Sequence, residues 1–489
     1  MFYFILFVIK ERRKRKFAVV IAAAEQSIQL TSTFKKVPAA GTSSTMTSGE
    51  LMSGYTALHW AVDNDDRDAV RLLLDAGADV NRAASFDAHS GVTALHLAAQ
   101  DGRTDVASDL LRHGAARDPH KSTRNRDSIT PLHQAVYNAH PATVAVLLAA
   151  GCDPNVQADN GYAALHYAAQ KGSAEMTTAL LETSGCDVAL RASTHEQQDI
   201  TALHLAVQSG SVDVVRALVA ADAPVDAGKR MGGGVSGVTA LHQAVYQEKD
   251  EIVAELLRLG ADPARSMDGW YTPLHVAAEK GCAAIARRLV AATSGSNGGG
   301  SAGAGKMTVD ARASLGDHVD LTPLHVAAQH GHSDVIRLLV DAGADTSAVR
   351  GFGDRGAITA LHLAAENGFV DAVVTLLEIA AADGGDRASL VDAQDSLGFT
   401  ALHLAVQYQF ANVVRALIVA GADPSLRTND GLTARRIALQ QNDSALLHVL
   451  GPEPATSAIP MPEAIPPLSA GDKRKPSKLR SLLCGMNKR

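Results

Sequence analysis

The chain has 489 residues, more than one compact core holds, yet aromatic residues make up only 4% of it and glycines number 41. That composition excludes a large aromatic-rich core and suits thin helices packed closely together. The net charge of −7 hides an asymmetry: Lys10–Lys16 carries six basic residues and one acid, Lys473–Arg489 carries seven basic residues and no acid, and about −19 falls on the remainder. Phosphate binding needs a basic surface, so nucleic acid lying along the body of the chain is excluded.

Residues 1–9, MFYFILFVI, are apolar and end in the basic block KERRKRK. A membrane span needs about 20 apolar residues, and a secretory signal carries its charges before the apolar run; this segment meets neither condition. A disordered segment over 1–50 is expected, with nuclear import or membrane-surface contact as the other reading of the basic block. A further alternative is that translation starts at Met46.

From Thr56 onward a T-[AP]-L-H unit recurs at Thr56, Thr93, Thr130, Thr201, Thr239, Thr272, Thr322, Thr359 and Thr400, with the variant AALH at Ala163 and a degenerate TARR at Thr433. These are eleven units spaced 33 to 50 residues apart. The stretch Thr322–Asp345, TPLHVAAQHGHSDVIRLLVDAGAD, is the clearest copy. Thr322 is placed to cap a helix and Pro323 to occupy its first position. Leu324, Ala327 and Ala328 then form one apolar stripe, and Gly331 closes the helix in a left-handed conformation. A second helix presents Val335, Leu338 and Leu339 and ends at Gly343. Neither helix is long enough to stand alone, so each must bury its stripe on neighbours.

On these motifs the chain resembles the ankyrin-repeat family over roughly residues 51–450, with copies such as Thr56–Asn81 and Thr322–Ser347 matching TPLH, a glycine, an apolar second helix and GADVN almost completely. The resemblance implies an all-α solenoid of about eleven helix pairs with β-hairpin fingers at one edge. It also implies a protein that binds other proteins through its fingertips and concave inner-helix face.

Finger extensions repeat with a period of three units, HQAVY at 133–137 recurs at 242–246, and AAQKG at 168–172 recurs as AAEKG at 277–281. A three-repeat block was therefore duplicated. The third, sixth and tenth units carry Ala139, Glu248 and Gln409 where the inner glycine is expected. Insertions at the Gly/Ser run 294–305 and at Ala381–Ser389 read as edge loops, which a repeat array tolerates. The last unit, Thr433–Leu450, replaces the motif histidine with Arg436 and is a polar cap. The prolines from Pro452 to Pro467 rule out further regular helix, and 451–489 is expected to be a disordered tail, with surface binding and lipidation of Cys484 as the alternative.

Ten of the nineteen histidines hold one motif position: His59, His96, His133, His166, His204, His242, His275, His325, His362 and His403. One per repeat, roughly 10 Å apart, they cannot converge on an ion, and they are expected to satisfy backbone groups at the repeat junctions. His330 and His332 read as a surface pair. No G-x-S-x-G, phosphate loop or H-E-x-x-H is present, so no catalytic, cofactor or metal residue is assigned and no enzyme activity is expected. Cys152, Cys186, Cys282 and Cys484 show no C-x-x-C spacing, which fits a reducing compartment, and Cys152 and Cys186 are expected to be free thiols.

The candidate partner-binding residues are aromatic. Tyr137, Tyr246 and Tyr408 end first helices, and Tyr55, Tyr162 and Tyr271 precede the capping position. Tyr137 with Tyr162, and Tyr246 with Trp270 and Tyr271, are expected to form two similar clusters. Tyrosine offers large contact area at low rotamer cost; the alternative is that these side chains pack on the neighbouring finger. The function expected is a non-enzymatic, monomeric, cytoplasmic scaffold or adaptor, with the nucleus as second location, that binds a protein of unknown identity. The alternative is a subunit that inhibits or localises an enzyme.

Overall fold

The computed structural model describes residues 54–451 apart from 87–88, 123–127, 195–196, 233, 269–270, 295–308, 316–317, 354 and 383–386. The N-terminal segment, the C-terminal tail with Cys484, the Gly/Ser run from residue 295, and Trp270 lie outside the described residues.

Each repeat is a pair of short helices. In the eighth, Thr322 is extended and its hydroxyl accepts from the His325 backbone N–H; the inner helix Pro323–His330 follows, burying Leu324, His325, Val326, Ala327 and Ala328. Gly331 ends it at φ 76°, a region closed to most side chains. The outer helix Ser333–Asp341 buries Val335, Ile336 and Leu339. Ile336 thus replaces Leu338 in the expected stripe, and Leu338 is only half-buried.

The ninth position after the cap couples one repeat to the next. A Cβ added to Gly331 would lie 2.5 Å from the Phe369 ring, and one added to Gly281 2.5 Å from His332. His140 covers Gly102 and Phe410 covers Gly368 in the same way. Where the ninth residue is not glycine, as at Ala139 (φ 61°), Glu248 (φ 57°) and Gln409 (φ 61°), the following repeat has Ser173, Cys282 or Asp443 in place of the ring. Asp65 and Asn442 hold the same left-handed conformation in the first and last repeats.

The described chain divides into two compact parts, up to Pro224 and from Val225. In the first, the strands Ala84–Phe86 and His89–Val92 pair as an antiparallel finger, and Ser90 bridges to Ser122 of the next. In the second, Ala313–Leu315, His318–Leu321, Arg350–Phe352 and Arg355–Ile358 join two fingers into a four-stranded antiparallel sheet. The insertion at Ala381–Ser389 is not purely a loop. The outer helix there runs from Val370 to Ala382, and a short helix Arg387–Val391 follows, because the run EIAAA has high helix propensity.

One finger buries a cation. Lys229, paired with Val238 across the finger, is 3% exposed and donates from Nζ to Gln243 Oε1 at 2.6 Å. Burial lowers its pKa to about 7. Lys121 lies in the corresponding finger of the third repeat, also buried, with its pKa lowered to about 8 by burial.

Candidate partner-binding face

Most of the motif histidines bond to backbone at their own cap and at the next repeat, whereas the buried Nε2 of His133 has no hydrogen-bond partner among the described residues. The Thr322 backbone N–H donates to His325 Nδ1 at 3.3 Å, so the ring proton sits on Nε2, which donates to the Ile358 carbonyl at 3.1 Å. The same pair of bonds is made by His59 to Val92, His96 to Ile129, His242 to Tyr271, His275 to Leu321 and His362 to Phe399. Burial first of all depresses these imidazoles, to about 4 for His59, His242, His275 and His325, so they are neutral at physiological pH. His332 is more than a surface residue: its Nε2 donates to the Glu279 carbonyl at 3.1 Å across a repeat junction. Among the described residues no group of three His, Cys, Asp or Glu side chains could hold a metal ion, and Cys152, Cys186 and Cys282 are free thiols.

The tyrosines fall into two classes. Tyr162 and Tyr271 are each 7% exposed, stacked or tilted against their own motif histidines, His166 at 5.4 Å and His275 at 4.8 Å between centroids. Tyr271 also donates its hydroxyl to Glu279 Oε2 at 3.0 Å. Tyr55 is half-buried, 5.4 Å from His59, and hydrogen-bonded to Asp63. Burial first, then the neighbouring carboxylate, raises the hydroxyl pKa of Tyr55 and Tyr271. The residue before the cap therefore reaches back over its own helix, and the hydroxyls of Tyr55 and Tyr271 are used within the repeat.

The helix-end tyrosines differ from one another. Tyr408 is half-buried and its hydroxyl donates to Glu366 Oε1 at 3.5 Å. Glu366 also pairs with Arg355 at 3.1 Å, and Arg355 with buried Asp395 at 2.5 Å. Tyr246 is only 7% exposed, not the exposed helix end expected, and Lys280 Nζ sits 3.9 Å above its ring. Tyr137, by contrast, is 51% exposed, with Lys171 Nζ 4.1 Å over its ring.

The cluster expected between Tyr137 and Tyr162 runs through a residue the sequence reading passed over. Tyr167 is edge-on to Tyr137 at 6.0 Å, to Tyr162 at 5.4 Å and to His133 at 5.6 Å, and Asn160 donates to its hydroxyl at 3.1 Å. Tyr167 holds the fourth position after the cap, where Trp60 of the first repeat is 37% exposed. Comparing that position across repeats is the signal that would have found both residues. Trp270, named for the second cluster, is outside the described residues.

A model of three consecutive ankyrin repeats matches overlapping segments 84–158, 132–230, 165–267, 224–299, 241–350, 302–388 and 353–428, and a single-repeat model matches 53–85. Among solved structures, the ankyrin repeat domain of Bcl-3, described as a unique member of the IkappaB protein family, is similar at 28% identity. That match covers 51% of this chain and 96% of that one, with a TM-score of 0.40. A comparison with curated proteins gives no match. The threonine caps, the histidines that bond across repeat junctions, as His325 does to Ile358, and the family matches across most of the chain lead to one conclusion: this chain belongs to the ankyrin-repeat family.

Proposed function

We propose that this protein is a non-enzymatic intracellular scaffold or adaptor that takes a protein partner on its inner-helix face and fingertips. The observation that carries the reading is Tyr137. It is a large aromatic ring left 51% exposed, held from beneath by Tyr167, which is itself fixed by Tyr162 and Asn160. A rigid, half-exposed tyrosine loses little rotamer freedom on binding, the property that makes such residues energetic centres of interfaces. Tyr162 supports this ring through Tyr167, while Tyr246 and Tyr271, each 7% exposed, offer little contact area themselves.

The test is affinity capture from native cytosol with the full chain and with Tyr137→Ala. A partner recovered with the wild type and lost with the variant, at unchanged melting temperature and helical circular dichroism, supports the reading. Equal recovery by both overturns it.

A further inference from the structure

The surface around Tyr137 has the chemistry of a paratope for one kind of ligand. Its polar members are mainly amides. Gln100 is exposed, Gln134 donates to Gln100 Oε1 at 3.3 Å, and Asn138 and the His140 ring donate to the Gln100 carbonyl at 3.2 Å and 3.0 Å. Amides can both donate to and accept from a partner backbone, and tyrosine flanked by such groups is the composition of adaptable recognition surfaces. The one cation of the patch, Lys171, is exposed. Its only interaction among the described residues is with the Tyr137 ring. The acid nearest along the chain to Gln100, Asp101, is already paired with Arg103 at 2.7 Å.

The junction between the third and fourth repeats is also built differently from its neighbour. At the preceding junction the His140 ring covers Gly102; here Ser173 stands at the ring position. Ala139, immediately after the Tyr137 helix end, is held at φ 61°, a conformation that is strained for alanine.

Resting on the interaction role proposed above, we infer that the Tyr137–Lys171 patch binds an extended, acidic peptide segment. A carboxylate of the segment pairs with the Lys171 ammonium, an apolar or aromatic side chain lies on the exposed part of the Tyr137 ring, and the backbone is met by Gln134 and Asn138. The ring holds the ammonium in place, so little side-chain entropy is lost when the carboxylate arrives.

The test uses the full chain and a fluorescent random copolymer of glutamate and tyrosine, read by anisotropy at low salt, with a lysine–tyrosine copolymer as the opposite charge. The glutamate copolymer is expected to bind, and to bind more tightly than the lysine copolymer despite the net negative charge of the protein. Lys171→Glu and Tyr137→Ala are each expected to weaken it about tenfold or more, the scale of a lost charge-assisted contact, and Lys171→Arg to retain it. Lys280→Glu is the charge control: its lysine lies over the buried Tyr246 ring and the change is expected to leave binding within about twofold of wild type. Failure of the glutamate copolymer to bind, tighter binding of the lysine copolymer, wild-type affinity in Lys171→Glu, or an equal loss in Lys280→Glu each overturns the inference. A captured protein partner that requires Tyr137 but not Lys171 would overturn it while leaving the scaffold reading intact.

Discussion

Replacing Lys229 with methionine should stabilise this protein at neutral pH and lose that advantage in alkali. Lys229 is 3% exposed and its pKa is lowered to about 7 by burial, against about 10.4 in an unfolded chain. Below pH 7 both states carry the proton, and the folded state bears the full burden of a buried ammonium. Between about 7 and 10.4 the unfolded chain binds more protons than the folded one, so stability rises with pH. Above 10.4 both are neutral and the burden is gone. At about 1.36 kcal/mol per pKa unit the burden at pH 7 is on the order of 4 kcal/mol. Methionine removes it, while the hydrogen bond from Nζ to Gln243 Oε1 at 2.6 Å is also lost, at a cost of about 1–3 kcal/mol. The expected net gain at pH 7 is therefore roughly 1–3 kcal/mol. Adding Gln243→Leu, the apolar choice made at the equivalent position by Leu363 and Leu404, should recover part of the lost bond. Urea unfolding of wild type and variants, followed by circular dichroism from pH 6 to about pH 10.5, gives the difference directly. A variant less stable than wild type at pH 7, or a difference that does not change with pH, would refute the reasoning.

The motif histidines set the acid limit. Their folded pKa values are lowered to about 4 from about 6.5 unfolded, so their contribution is fully present above 6.5. It is lost progressively as pH falls from there toward 4, and helical circular dichroism should collapse within that window; an array still folded at pH 4 contradicts it. Ala139→Gly should raise stability by about 0.5–1 kcal/mol by relieving the left-handed alanine, whereas Gly331→Ala should lower it by more than about 2 kcal/mol, since its methyl meets the Phe369 ring at 2.5 Å; thermal melts of the two variants should shift in opposite directions. Ala163→Thr should gain about 1 kcal/mol by restoring the hydroxyl that accepts from the third helical N–H in other repeats, and an unchanged unfolding midpoint would show that the Nδ1 bond of His166 already suffices.

Local chemistry was legible in the sequence wherever one residue's role is settled within its own turn. Thr322, Pro323, His325 and Gly331 each do what their types and spacing dictate, and ten such turns in register leave little freedom in the fold. Exposure was not legible, because it depends on what the next repeat supplies. Tyr137 and Tyr246 occupy identical HQAVY contexts, yet one ring is 51% and the other 7% exposed. Tyr167 was passed over for a related reason: it sits mid-helix in an apolar run and becomes the centre of a cluster only through contacts from two repeats. Lys229 was hidden because a lysine in a glycine-rich finger reads as a solvated side chain, and only the packed finger shows it turned inward onto Gln243. The Ala381–Ser389 insertion mixes an alanine run with glycines, so its partial helix follows from propensity once the preceding helix provides a template.

The glycine-and-ring contacts bear on how such an array can change its length. Because Gly331 is shaped by Phe369 and Gly368 by Phe410, the fit belongs to a boundary and not to a repeat. Inserting one foreign repeat would place a ring against a Cβ on one side, or leave a bare glycine on the other. A block copied whole keeps every internal boundary and exposes only its two ends to mismatch. Ends such as Ala139 facing Ser173, and Glu248 facing Cys282, carry neither glycine nor ring, so they tolerate new neighbours. The boundaries with neither glycine nor ring are therefore the natural cut points for recombining this array, in evolution or at the bench.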